Sequence, residues 1–222
     1  EARNAPDLQM KNIQYTLEAV KVAKDLGCKV FVGAGSQAEF GHYDQPAGEK
    51  TPPRPFTLYG AAKLAAGHMS SVYGKSLGIR HSWVRIFSVF GPGDDPGTLA
   101  STLIREFQKG SSPSLTKGEQ IWDFLYSYDA AEALIAVAEK GQDGAFYSLG
   151  SGEQKPLRDY VLEMRDLIDP RVEIGFGEKP YGENQVMFLS ADSTRLKKDT
   201  GFTPRYTFAE GIQDLLNRGI KD

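Results

Sequence analysis

The sequence predicts an α/β protein whose core is a mostly parallel sheet. Three observations carry that reading: short apolar runs rich in β-branched residues, longer stretches with apolar residues at helical spacing, and a regular alternation of the two. Leu8, Ile13, Leu17, Val20 and Leu26 recur at helical intervals, and Gly27 ends that helix. Lys29 to Ala34 reads as a fully buried strand, with Cys28 as a buried structural thiol at its start. Gly33, Gly35 and Gly41 then read as a loop with close backbone approaches, and Gln45 to Pro55 as a Pro-rich surface loop. A long alanine-rich helix spans about Thr57 to Leu77 and stops at Gly78. Ile79 to Val89 is the next strand, closed by Gly91-Pro92-Gly93. Helix, strand, helix and strand follow over Leu99 to Lys109, Ile121 to Tyr126, Ala130 to Glu139 and Ala145 to Leu149. Helix Leu157 to Ile168, strand Arg171 to Ile174 and helix Phe208 to Arg218 complete the chain.

Composition narrows the classes. The 222 residues are 40% hydrophobic and 25% charged, an ordinary globular mixture. A formal net charge of -3 gives no pull toward nucleic acid or an anionic membrane surface. The single cysteine excludes an internal disulfide, and no apolar stretch has the length of a membrane span. The expected setting is the cytoplasm, with neither membrane nor nucleic acid as a partner. His42, His68 and His81 are scattered without carboxylate or cysteine partners, so no metal site is expected.

In parallel sheets ligands bind beyond the carboxyl ends of the strands, so the loops after Ala34, Val89 and Leu149 are the places for chemistry. Tyr59 and Lys63 are four apart on a helix and share one face. A free phenol ionises near pH 10, too high for acid/base work at neutrality, and a nearby ammonium favours the phenolate. A tyrosine so placed can protonate a carbonyl oxygen or deprotonate an alcohol. On its own the spacing also describes a half-buried tyrosine beside a solvated lysine. Ser36 adds context, because it lies just past the apolar strand and can donate to the same substrate oxygen. A turn serine capping the next segment is the alternative.

These residues carry a resemblance. Gly35-Ser36-Gln37-Ala38-Glu39-Phe40-Gly41 resembles the serine segment of the extended short-chain dehydrogenase/reductases, the NAD-dependent epimerases and dehydratases of sugars. Pro52 to Lys63, ending Leu58-Tyr59-Gly60-Ala61-Ala62-Lys63, resembles their tyrosine-lysine segment, and Asn12 to Thr16 their mid-domain asparagine motif. Arg85 to Pro92, Trp122-Asp123-Phe124 with Asp129, Leu149 to Gly152 and Ala191 to Pro204 continue the match in the family's order. The resemblance implies an incomplete Rossmann-like, doubly wound parallel sheet with a small C-terminal α+β capping region. Residues 1–91 and 118–150 would form the dinucleotide-binding part, and 92–117 with 151–222 the substrate cap.

It also implies roles. Tyr59 would be the acid/base, Lys63 its tuner and a ribose ligand of NAD or NADP, and Ser36 the partner of the substrate oxygen. Phe87 and Val89 would border the nicotinamide, while Ser88 and Trp122 would face the substrate. Asn12 would serve a proton relay or hold the sheet. The implied activity is that of an epimerase, dehydratase or reductase of a sugar, a nucleotide sugar in particular, with a dinucleotide-sensing or scaffold protein on the same fold as the rival. A homodimer through the helices near 8–26 and 57–77 is implied as well. The family's opening glycine-rich turn is not in this sequence, so the chain reads as the C-terminal part of a longer enzyme. Trp122 stands where these enzymes usually carry a phosphate-holding arginine, Ser88 where they carry an asparagine, and no basic residue lies at Gly182.

Overall fold

A computed structural model describes residues 2–219. In chain order the elements are α1 (Pro6–Asp25), β1 (Val30–Ser36), α2 (Leu58–Ser76), β2 (Arg80–Ile86), β3 (Ser88–Phe90), α3 (Leu99–Gln108), β4 (Ser114–Leu115), β5 (Ile121–Trp122), β6 (Phe124–Tyr126) and α4 (Ser127–Lys140). They continue with β7 (Ala145–Leu149), β8 (Lys155–Pro156), α5 (Leu157–Ile168), β9 (Gly175–Phe176), β10 (Phe188–Leu189), α6 (Thr194–Thr200) and α7 (Phe208–Arg218). Single 3-10 turns occupy Ala2–Asn4 and Gln37–Glu39.

The main sheet has the order β1-β2-β7, all parallel. Ser36 pairs in register with Ile86, and Ile86 with Leu149, so the three strands end level. Side chains of β2 alternate between two helical layers. Trp83 meets Gly67 of α2, whereas Val84 and Ile86 pack with Ala130, Ala133 and Val137 of α4. Helices therefore cover both faces, and the expected α/β architecture with parallel pairing is present. The helix α2 approaches the sheet closely because Gly60, Gly67 and Gly74 recur every seven residues along one side. Side-chain carbons there would come 2.2 Å from the Ala38 carbonyl oxygen, 2.8 Å from the Trp83 indole and 3.3 Å from His81 Cβ.

A second core forms from α3, α5 and α7. Leu103, Ile104, Phe107, Tyr160, Met164 and Ile212 pack around Phe90 and Tyr126, which come from β3 and β6. The small sheet β10-β5-β8 and the parallel pair β4-β9 line this region.

Several expectations need correction. Gly33 and Gly35 are in strand β1, not in a loop, because the strand runs on to Ser36 and the glycines make room for Trp83. Of these three, Gly41 alone is a turn glycine, with φ +79° and a Cβ position that would meet the Arg54 carbonyl. The strand β1 is not fully buried: Val30, Phe31 and Val32 are half-buried and Ala34 is exposed. Cys28 is exposed, since it sits in the turn before the strand. The Pro-rich loop is pinned rather than free. Ala47 is fully buried, donating its N–H to Ser190 O at 2.9 Å and accepting from Asp192 N at 3.0 Å. The strand expected over Arg171 to Ile174 forms at Gly175–Phe176, and those over Ile79 to Val89 and Ile121 to Tyr126 break at Phe87 and Asp123.

Candidate active site

The level carboxyl ends of β1, β2 and β7 form one rim, and α2 begins beside it. Thr57 caps α2, its Oγ1 accepting the Gly60 N–H at 3.1 Å. Tyr59 is therefore the second residue of the helix and half-buried. Lys63 lies one turn on, its Nζ 6.0 Å from the Tyr59 ring centroid and 3.0 Å from the Ala34 carbonyl, to which it donates. Ala34 is two residues before Ser36, so this bond draws the tyrosine-lysine face to the serine end of β1. Ser36 is buried, and its Oγ accepts the Ala38 N–H at 3.2 Å. Among the described residues the hydroxyl proton has no protein acceptor and is free to donate. The structure thus brings Ser36, Tyr59 and Lys63 to one end of the sheet.

Two features there were not read from the sequence. Arg3 lies over Tyr59, its guanidinium carbon 5.4 Å from the ring centroid. Its turn is held by Asn4, whose Oδ1 accepts the Leu58 N–H at 3.0 Å, and by Gln9, which donates to Ala2 O at 2.8 Å. Asn12 donates to Gln9 Oε1 at 2.6 Å, so its side chain supports this turn. The second feature is Glu39, fully buried. Its carboxylate accepts from Ser36 N (2.9 Å), Trp83 Nε1 (2.9 Å) and Arg85 Nε (2.8 Å). A polar residue three after Ser36 signals a capping box, which is present, but nothing local marks it as buried.

Beyond β2 the backbone passes the rim through Phe87, Ser88 and Val89. The Phe87 N–H donates to Leu149 O at 3.0 Å, while its ring is buried against Phe40 and Tyr43. Phe87 therefore offers the rim its backbone rather than its side chain. Val89 is half-buried and packs toward the α4 core. The Trp122 Nε1–H donates to Ser88 Oγ at 2.9 Å, tying β5 to the rim. Trp122 also lines a cavity of about 320 Å³ with Leu99, Leu115, Gln120, Phe176 and Lys179. Gln120 is buried there with its Oε1 unpartnered. The buried carboxylate of Asp123 gathers the N–H groups of Ser151, Gly152 and Ala191, which explains the break between β5 and β6. Asp129 likewise accepts from Arg205 N and Tyr206 N. Arg195 and Arg205 lie in surface ion pairs, with Glu49 and Glu132. Burial against Asp123 pushes the Tyr43 phenol well above its ordinary range.

The chain is similar to known proteins in sequence and in fold. A dTDP-glucose 4,6-dehydratase of Shigella flexneri is 30% identical over 179 residues, covering 76% of this chain and 48% of that protein. The trifunctional UDP-glucose 4,6-dehydratase/UDP-4-keto-6-deoxy-D-glucose 3,5-epimerase/UDP-4-keto-L-rhamnose-reductase of Arabidopsis thaliana is 28% identical, covering 96% of this chain and 33% of that one. The chain thus spans about half or less of the length of these curated relatives. Among solved structures, MoeE5 in complex with UDP-glucose and NAD superposes with a TM-score of 0.81 at 26% identity, covering 95% of this chain and 72% of that one. RMD from Pseudomonas aeruginosa, complexed with NADPH, gives 0.83 at 22% identity over 93% of this chain and 72% of that one, a likeness of fold. A family model matches residues 1–150, and the chain belongs to the NAD dependent epimerase/dehydratase family.

Proposed function

We propose that this chain carries the acid/base half of an NAD(P)-dependent enzyme that epimerises, dehydrates or reduces a sugar, with a nucleotide sugar as its substrate class. The observation that carries the reading is the convergence of Ser36, Tyr59 and Lys63, drawn together by the Lys63–Ala34 bond. In the proposed reaction the Tyr59 hydroxyl exchanges its proton with the substrate oxygen as that carbon changes between alcohol and ketone. Ser36, held through its amide, donates to the same oxygen and orients it. A phenolate formed at Tyr59 faces positive charge from Lys63 and Arg3. A bound nicotinamide dinucleotide would supply the hydride chemistry. The residues fit such a cofactor: Lys63 has three donors and uses one on Ala34, leaving two for ribose hydroxyls. The backbone of Phe87 to Val89 would border its ring.

The cavity beside Trp122 supports a nucleotide-sized substrate. Its walls are apolar with amide and hydroxyl groups among them, and Lys179 is the one cation in its lining. Relatives named for dTDP-glucose and UDP-glucose support the same class. The second core, built on α3, α5 and α7, would then act as the substrate cap. We also assign a homodimer to the α1–α2 face. Leu8, Met10, Tyr15 and Val22 of α1 and Leu58 of α2 are exposed, and Met69 and Val72 of α2 line an apolar groove of about 720 Å³ with Leu17 of α1. Among the described residues no helix is long and apolar enough to cross a membrane. The test is to incubate the full-length protein with dTDP-glucose or UDP-glucose and NAD, following products by NMR. An epimer or a keto sugar is expected. Recovery of every tested sugar unchanged, from a folded protein that binds NAD, would point instead to a sensor or scaffold.

A further inference from the structure

We propose that Glu39 is a positioning residue for the reaction: its buried carboxylate fixes the Ser36 turn and, through Trp83, sets the spacing between that turn and the helix bearing Tyr59 and Lys63. The inference rests on the reading of those three residues given above.

The geometry is continuous from one element to the next. Glu39 has no exposed surface, and three N–H groups donate to its carboxylate: the Ser36 backbone, the Trp83 indole and Arg85. Arg85 is itself buried, with its guanidinium carbon 4.7 Å from the Phe40 ring centroid and 5.0 Å from that of Phe146. Trp83 is wedged between two elements. On one side Gly33 and Gly35 of β1 present no side chain, and a Cβ on either would come within 2.3 Å of the indole. On the other side Gly67 of α2 does the same at 2.8 Å. The indole is therefore a spacer of fixed thickness between β1, which ends in Ser36, and α2, which carries Tyr59 in its first turn. Its N–H points to the carboxylate that also holds the Ser36 amide. Serine and tyrosine are thus referenced to one buried group.

Burying a carboxylate and a guanidinium costs desolvation that an apolar pair of similar volume avoids. The rings of Phe40 and Phe146 flank Arg85, yet a charged pair lies directly beneath the Ser36 turn. A directional acceptor fixes the turn's orientation, which apolar packing does not.

The experiment uses the full-length enzyme. Glu39→Gln keeps the shape but sets an amide N–H₂ against surrounding donors. The double variant E39L/R85M removes both charges at once, so it folds even if the single change does not. Each is measured alone and combined with Ser36→Ala, recording kcat, KM, dinucleotide affinity and thermal midpoint. Either change is expected to lower kcat about tenfold or more, as misplacement of reacting groups does, with KM and dinucleotide affinity within about threefold. In the Ser36→Ala background the same changes should cost less than about twofold further, because the group they act through is gone. A full multiplicative loss in that background, or unchanged kcat with only a lower melting temperature, would overturn the positioning role. If Ser36→Ala alone leaves kcat intact, the reading of the site itself fails and this inference with it.

Discussion

Adding one methyl group at Gly35 tests the spacer geometry without touching a reactive side chain. A Cβ there would lie 2.3 Å from Trp83 Nε1, 2.6 Å from Glu39 Oε1 and 2.9 Å from Trp83 Cδ1. The backbone φ is not left-handed, so the conflict is one of space alone. Relief requires the indole to move by about 1 Å, as ordinary van der Waals contact demands. It cannot do so toward α2, because Gly67 already meets the ring there. Overpacking of this kind costs about 1–3 kcal/mol. The indole–carboxylate hydrogen bond is lengthened as well, at about 1.5–3 kcal/mol for a bond to a charged group. Gly35→Ala should therefore destabilise the protein by about 3–5 kcal/mol in urea unfolding at neutral pH. Gly182→Ala is the control, since nothing lies within 4 Å of its Cβ position, and should stay within about 0.5 kcal/mol of the parent. A Gly35→Ala protein as stable as the control would show that Trp83 is not held as described.

Two other outcomes follow from the same structure. Burial lowers the His81 pKa from 6.5 to about 4, against a weaker opposing pull from Asp143. Between those values the unfolded chain binds the proton that the folded one excludes, so stability is lost as pH falls from about 6.5 to 4, by up to about 3 kcal/mol; thermal melts across that range should show this slope in the parent and not in His81→Phe. Met69→Asp places a charge in the α1–α2 groove, and sedimentation of the full-length protein should show a dimer that becomes a monomer; a monomeric parent, or a dimer indifferent to the charge, would mean the face serves another purpose.

Helix ends were readable because their signals are local. Thr57 and Gly78 bracket α2, and Leu157 to Ile168 and Phe208 to Arg218 carry helical periodicity across their whole observed length. Tyr59 and Lys63 were readable for the same reason, being one turn apart on such a helix. What was missed depends on partners distant in the chain. Gly33 and Gly35 resemble loop residues until Trp83, about fifty positions on, demands their missing side chains. Asp123 looks like a strand residue until the amides of Ser151, Gly152 and Ala191 converge on it. Glu39 looks like a solvated capping residue until Arg85 and Trp83 close over it. One signal was present and unused: Gly60, Gly67 and Gly74, seven apart, mark the face on which α2 meets the sheet.

In the proposed reaction Tyr59 moves the proton while Lys63 and Ser36 hold the reacting partners. Tyr59→Phe removes the hydroxyl and keeps the ring, so packing beneath Arg3 and beside Lys63 persists. Single-turnover hydride transfer in the full-length enzyme should fall by about 10²-fold or more, with dinucleotide affinity within about threefold of the parent. Hydride transfer at the parental rate in a stably folded Tyr59→Phe enzyme would place the acid/base function on another group and contradict the account.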